Sequence, residues 1–322
     1  MLNRSLNFIS NFKLSDIVKI NHISPKFLKS NNSAIDISDK QISLLISQKN
    51  YLSQITFKTI SINFDEKILD ENGILLNESS ISQKIKEKLA SINIKTKKLS
   101  VALPSHLVFI EEIGIKEKVE SNQVIEQQIL LNIKEKINYS LSDIYFDYQK
   151  INNNDKDIQK YLVVITHQKV IQAYQNLLAE LNMQLIVVDV DLLAIDRFFK
   201  KNCKSIYSEN KTIFLLFANH RNIRLIEFSL SNKPKIINQF KHNDISSIKN
   251  DILSFSEKNN LQRVYIYSNL NEFDLKKMIK DLNHIEVLIF NPLVFIDLKF
   301  KEKNVHIKDY FIPLSLLSHR DY

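Results

Sequence analysis

The stretch SAIDISDKQISLLIS, residues 33–47, decides how the rest of the chain is read. Apolar residues alternate with small or polar ones on both sides of SDK, which is the pattern of two strands folded about a tight turn. Hairpins of this kind open many phosphate-binding half-domains, yet no glycine stands here where a phosphate would approach the backbone. The 322-residue chain has two glycines in all, Gly73 and Gly114. P-loops and Rossmann turns need several close together, to free positive φ angles and bring main-chain N–H groups onto the anion. Neither motif can be built from this sequence.

Working outward, QITFKTISINF (54–64) continues the alternation as a third strand. SISQKIKEKLASI (80–92) then places Ile81, Ile85, Leu89 and Ile92 on one helical stripe, and LSVALP (99–104) reads as a short buried strand ended by proline. The order returns past the middle of the chain. TIFLLFA (212–218), NIRLIEFSL (222–230) and KPKIINQFK (233–241) are three strands, DISSIKNDILSFSEKNN (244–260) a helix and RVYIYSN (263–269) a buried strand, followed by a helix over 272–282 and a strand over 285–290. The order β-β-β-α-β resembles that of ribonuclease H-like and actin-like half-domains, two of which enclose a cleft. The expected fold class is therefore α/β, two-lobed.

Between the two series lies a block of different character. LVFIEEIGI (107–115) is a strand, ESNQVIEQQILLNIKEKI (120–137) a helix, DIYFDYQKI (143–151) and KYLVVIT (160–166) strands, QKVIQAYQNLLAELN (168–182) a second helix and QLIVVDV (184–190) a strand. It reads as a small α+β unit inserted into the first half. The expected division is an N-terminal extension over 1–33, a first half over 34–105 and 185–205 with a closing helix near 308–322, an insertion over 106–184, and a second half over 206–307.

The bulk numbers narrow the function. A formal charge of +8 and a pI near 9.2 would suit an anionic partner, but lysines and acids are interleaved along the chain, as on a solvated surface. The single cysteine, Cys203, excludes an internal disulfide and fits a reducing compartment. No run approaches the roughly eighteen apolar residues of a membrane span, LIVVDVDLLAI (185–195) being broken by Asp189 and Asp191. A soluble intracellular protein is expected. His106, His167, His220 and His284 lack metal-ligand spacing, and no serine sits in a nucleophile elbow. Tyr145, Phe146 and Tyr148 alternate on a strand as an inner face with one exposed ring, so no nucleic-acid partner is expected. Asp36 is expected to cap a turn and Asp189 to cap the helix that follows it.

VALPSHLVFIEEIGI (101–115), IEQQILLNIKEKINYSLSDIYFDYQKI (125–151) and LVVITHQKVIQAYQNLLAELNMQLIVVDVDLLAIDRFF (162–199) together resemble, in order and spacing, the middle of the type IV pilus assembly protein PilM family. Leu141, Asp143, Asp147, Tyr148, Gln149, Val188, Asp189 and Val190 match that family's text, while Asn138 and Ser140 replace two of its prolines. The resemblance implies an actin-like, FtsA-like cytoplasmic protein with an SHS2-like inserted subdomain. It also implies ATP in the cleft, and the N-terminal peptide of a membrane-anchored partner, PilN, held between the first half and the insertion.

On the family's first phosphate hairpin, G-I-D-I-G-S-S-S-V-K, this chain has AIDISDKQIS. Ala34 and Ser38 replace the glycines, Ser43 replaces the lysine, and Asp36 remains. On the second hairpin the acid becomes Leu216, the glycine Ala218 and the threonine Asn222; the adenosine-side glycines become Ser268 and Asn269. The ATP-site positions Asp36, Ser38, Ser268 and Asn269 thus form a degenerate set. A Cβ at the closest backbone approach pushes a phosphate away, so no cofactor and no hydrolysis are expected, with ATP and magnesium as the alternative. KHNDISS (241–247) nearly closes the gap in which the family carries its upper lobe.

The expected protein is a scaffold on the cytoplasmic side of the inner membrane, peripheral to it. It binds a PilN-like protein and makes contact with pilus motor ATPase components or with itself. The alternatives are an active actin-like ATP-binding protein, a type II secretion component of the same fold and a DNA-associated basic protein.

Overall fold

The computed structural model of the chain describes residues 33–49, 55–91, 98–116, 121–151, 157–209, 212–218, 223–229, 233–240, 245–259, 261–268, 285–296, 299–300 and 309–318. Outside them lie residues 1–32 of the expected extension, the helix expected over 272–282, Asn269, Asn222 and most of the shortened connection at 241–247.

The first half opens with β1 (Ser33–Ile37), β2 (Gln41–Lys49) and β3 (Ile55–Asn63), followed by α1 (Glu78–Ser91) and β4 (Lys98–Leu103). The hairpin turn is closed by Ser38, whose main-chain N–H and hydroxyl both donate to the Gln41 carbonyl, at 2.8 and 2.9 Å. Helix α1 buries Ile81, Ile85 and Leu89, one residue per turn, and carries Glu78 in its first turn and Lys88 in its last, each on the favourable end of the helix dipole. Then come β5 (Val108–Ile115), α2 (Asn122–Lys134), β6 (Ile144–Ile151), β7 (Gln159–His167), α3 (Gln168–Glu180), β8 (Gln184–Val190), α4 (Asp191–Asn202) and α5 (Lys204–Glu209). The second half has β9 (Thr212–Ala218), β10 (Ile223–Ser229), β11 (Lys235–Phe240), α6 (Ile245–Asn259), β12 (Arg263–Ser268) and β13 (Glu286–Ile289), and the chain returns through β14 (Lys299–Phe300) to α7 (Phe311–Ser318).

Strand order shows the duplication. The first sheet runs β14-β3-β2-β1-β4-β8 and the second β11-β10-β9-β12-β13, so each places its first strand between an antiparallel hairpin partner and a parallel crossover strand. Residues of alternate parity divide each sheet between two cores. In the first, Ile35, Ile37, Leu44, Val101 and Leu103 pack outward against α1 and α3, while Ala34, Leu45 and Ala102 face inward. In the second, Leu216, Ala218, Leu225 and Ile266 face α6, while Leu215, Phe217, Phe228, Tyr265 and Tyr267 face inward.

Helices α4 and α7 fill the space between the two inner faces. The small residues Ala34 and Ala102 let α7 approach the first sheet, and aromatic rings of the second sheet close over its other side. Helix α7, FIPLSLLS, is buried at every residue from Phe311 to Leu317, as a helix apolar all round must be. Its one internal hydroxyl, on Ser315, donates to the Phe311 carbonyl at 2.8 Å.

The three-stranded sheet β5-β7-β6 is separate from both large sheets and carries α2 on one face, with Ile113, Ile125, Ile129, Ile133, Tyr161, Val163 and Ile165 between them. The expected insertion also included the helix at 168–182, and here the packing differs. Val170, Ile171, Tyr174, Leu177 and Leu178 of α3 lie in the outer core of the first half, and Glu180 accepts a 2.5 Å hydrogen bond from Ser82 of α1. Amphipathic spacing shows that a helix has an apolar face, not which sheet that face covers.

Candidate functional site

Two places come from the residues upward: the junction of the lobes, where a nucleotide would lie in this fold, and the face of the small sheet turned away from α2.

At the junction, Asp36 lies in the fourth position of the five-residue β1, next to last before the turn, and Ser38 closes that turn. Ser38 is buried, and the tip of the hairpin is held from outside, Ile68 N–H donating to the Asp39 carbonyl at 2.7 Å and Phe64 N–H to that of Lys40 at 2.8 Å. On the opposite lobe Ser268 ends β12, buried and in register with Ala218. Its neighbour Tyr267 is buried, stacked on Phe217 at 5.6 Å and packed at a tilt against Phe311 at 4.5 Å. Burial raises the Tyr267 phenol well above its ordinary range, and the carboxylates of Asp309 and Asp36 raise it further. The structure thus brings Asp36 of the first hairpin to the end of β12. Leu216, matched above to the family's acid, faces α6; Leu215 and Phe217 occupy the inward places on β9.

One cluster here was not anticipated. Arg224 of β10 is 3% exposed and reaches across to the first half. Its guanidinium donates to Ser105 Oγ at 2.6 Å and to Asp191 Oδ2 at 2.9 Å. The other Asp191 oxygen accepts from the main-chain N–H groups of Ser105 at 3.0 Å and Leu192 at 2.5 Å. Asp191 starts α4, so the role at the helix N-terminus expected of Asp189 belongs to Asp191. Asp189 instead pairs with Arg197 of the same helix and accepts from Val190 N–H at 2.7 Å. The Arg224 Nε–H has no partner among the described residues. A buried charge pair of this kind holds two elements in register, and breaking one side of it is costly.

A second buried acid on α4 is Asp196, bonded to Lys200 Nζ at 2.8 Å. The lysine lowers its pKa, but loss of hydration outweighs that and raises it to about 6; the same cause raises Asp147 to about 6. A carboxylate with a raised folded-state pKa holds a proton that the unfolded chain has released, so stability falls as pH rises from the ordinary value of 3.8 through about 6. Taking wild type minus Asp196→Asn cancels changes common to both proteins. In urea melts that difference is expected to move in favour of wild type as pH is lowered from about 7 to about 5. Burial also pushes the Cys203 thiol up to about 12, so it is an inert core residue. Among the described residues no cluster of three or more His, Cys, Asp or Glu could hold a metal.

The second place is built by register. Val108, Ile110 and Glu112 of β5, Thr166, Val164 and Leu162 of β7, and Tyr145, Asp147 and Gln149 of β6 form three rows across the sheet face opposite α2. Val108, Ile110, Leu162 and Val164 are half-buried against the interlobe core, and Tyr145 against the outer core of the first half. Strands β5 and β6 each pair only with β7, which leaves both outer edges unpaired among the described residues. An apolar sheet face beside open strand edges is suited to an added extended segment.

Two lobes of one topology, sharing a core of two helices and carrying a small sheet within the first lobe, define an actin-like protein. Among solved structures the chain resembles the "PilM-PilN type IV pilus biogenesis complex", with TM-score 0.70 and 12% identity over 89% of this chain and 98% of that one. It also resembles a Bacteroides thetaiotaomicron protein of actin-like ATPase fold and unknown function, with TM-score 0.50 and 13% identity over 91% and 97%. The sequence profile of type IV pilus assembly protein PilM matches residues 34–219, more than half the chain, and the protein belongs to that family. A search of curated protein sequences returns no significant match. Among the described residues no helix is long and apolar enough to cross a membrane.

Proposed function

We propose that this PilM-family protein acts in type IV pilus assembly as a cytoplasmic scaffold, peripheral at the inner membrane. Its working surface is the sheet face of Val108, Ile110, Leu162, Val164 and Tyr145. That face would hold the extended N-terminal peptide of a PilN-like membrane protein by main-chain pairing at a strand edge and by apolar contact. The observation that carries this reading is the half-buried apolar face itself, set between open edges and backed by the core that joins the lobes.

The same reading gives the protein no hydrolytic role. Arg224 bonds Ser105 and Asp191 across the lobe junction, and the rings of Tyr267, Phe217 and Phe311 pack against one another beside the end of β12. The chain's own cation thus neutralises an acid that could otherwise hold a metal or water beside a phosphate, in keeping with the missing glycines.

Hydrogen exchange tests the peptide surface. On adding the synthetic N-terminal peptide of the PilN-like protein from the same genome, amides over 108–112 or 144–149 are expected to slow, since an added strand protects the edge it pairs with. Protection confined to the lobe junction, or none at saturating peptide, would defeat the reading.

A further inference from the structure

Asp147 is the acid in the middle of this face, between apolar neighbours, while Thr166, Glu112 and Gln149 lie in the rows on either side. It stands in the middle row, opposite Val164 and Ile110, on the edge strand β6. One of its carboxylate oxygens accepts from the Tyr148 main-chain N–H at 2.9 Å. Among the described residues no lysine, arginine or histidine pairs with it, although the chain holds 44 lysines and arginines against 36 acids. The charged groups on its side of the sheet are Glu112, one row along on β5, and Lys160, two rows along on β7. Tyr148, next in sequence, turns to the α2 face. Loss of hydration is the main cause of the raised Asp147 pKa, as expected of a carboxylate lacking a countercharge.

A half-buried acid whose row on the docking face is otherwise apolar disfavours the empty state and selects its occupant. Wholly apolar segments would leave the carboxylate dehydrated and unpaired, whereas a segment bearing a cation at the matching position would remove that penalty. Side chains of an added strand beside β6 come about 4.5–5.5 Å, Cβ to Cβ, from those directly opposite, within reach of a charge-assisted hydrogen bond from lysine or arginine. Resting on the reading that this face receives the partner's peptide, we propose that Asp147 sets its specificity. The peptide carries a lysine or arginine among its apolar residues, and that cation pairs with Asp147.

The test is fluorescence anisotropy with the labelled N-terminal peptide of the PilN-like protein, its variants with each Lys or Arg changed to Gln, and full-length protein as wild type, Asp147→Asn and Asp147→Glu. Asp147→Asn is expected to weaken binding by about tenfold, and one peptide substitution to weaken binding to wild type equally. That substitution should cost the Asn variant nothing further, and Asp147→Glu should recover most of the loss. If the peptide binds but every Lys or Arg change, or Asp147→Asn itself, stays within about twofold, the specificity role is overturned while the docking face stands. If wild type does not bind the peptide at all, the docking face fails and the role of Asp147 with it. The peptide-side changes are read on wild-type protein, so misfolding of a variant cannot produce the expected pattern.

Discussion

Arg224→Ala lowers the unfolding free energy by about 3–5 kcal/mol, the expected cost of removing one partner from a buried pair and leaving the other charge uncompensated. The guanidinium is enclosed, bridges Ser105 and Asp191, and joins strand β10 of one lobe to the start of α4 in the other. The size of the effect reflects the stranded Asp191 carboxylate, more than the net worth of the pair. Arg224→Met combined with Asp191→Asn should therefore be more stable than the sum of the single changes implies, by about 1–3 kcal/mol in a double-mutant cycle. Asparagine at 191 keeps an oxygen for the N–H groups of Ser105 and Leu192, and methionine fills the space beside Phe217, over which the guanidinium lies at 5.3 Å. Urea melts of the four proteins give the cycle; additive losses would mean that the two side chains act separately.

The second large effect is expected at Phe311. Its ring lies within 4.5–6.3 Å of those of Phe198, Phe199, Phe217, Tyr267 and Phe290, which come from α4 and from the second lobe, so truncation opens the shared core at its centre. Phe311→Ala should cost about 3–5 kcal/mol and Phe311→Leu distinctly less, because a branched aliphatic chain refills part of the space. Unfolding should stay a single transition by fluorescence and by circular dichroism, since both lobes bury their inner faces on the same helices. A low-temperature step confined to one lobe would show that the core is not shared.

Much of this fold was legible in the sequence because alternation and helical spacing are local signals. Residues 33–47 gave a hairpin, and the repeat of strand, strand, strand, helix, strand placed a second sheet of the same order. What escaped were choices made between elements. The amphipathic spacing of Val170, Tyr174 and Leu177 could not say that this helix covers the first sheet, nor could two residues, Lys299 and Phe300, announce that they extend β3 in parallel.

Arg224 left a readable signal. It shares parity with Ile226 and Phe228, the apolar pair of its strand on the side away from Glu227 and Ser229, so it had to point into the inner core and find an acid there. The companion acid was harder to choose, because Asp189 and Asp191 alternate within one run and only the start of α4 decides which of them faces the second lobe. The docking face was legible as three strands of the insertion. The place of Asp147 in its middle row required the register of β6 with β7.

The claim on which the rest depends is that the lobes are held together by the chain's own residues, so that the insertion is ready for its peptide without a nucleotide. Anisotropy of the labelled PilN-like peptide, titrated with this protein in the presence and absence of magnesium and ATP, measures it in one experiment. Saturable binding with the same Kd in both conditions is the expected result; binding that appears only with nucleotide, or tightens by about tenfold or more, would contradict it.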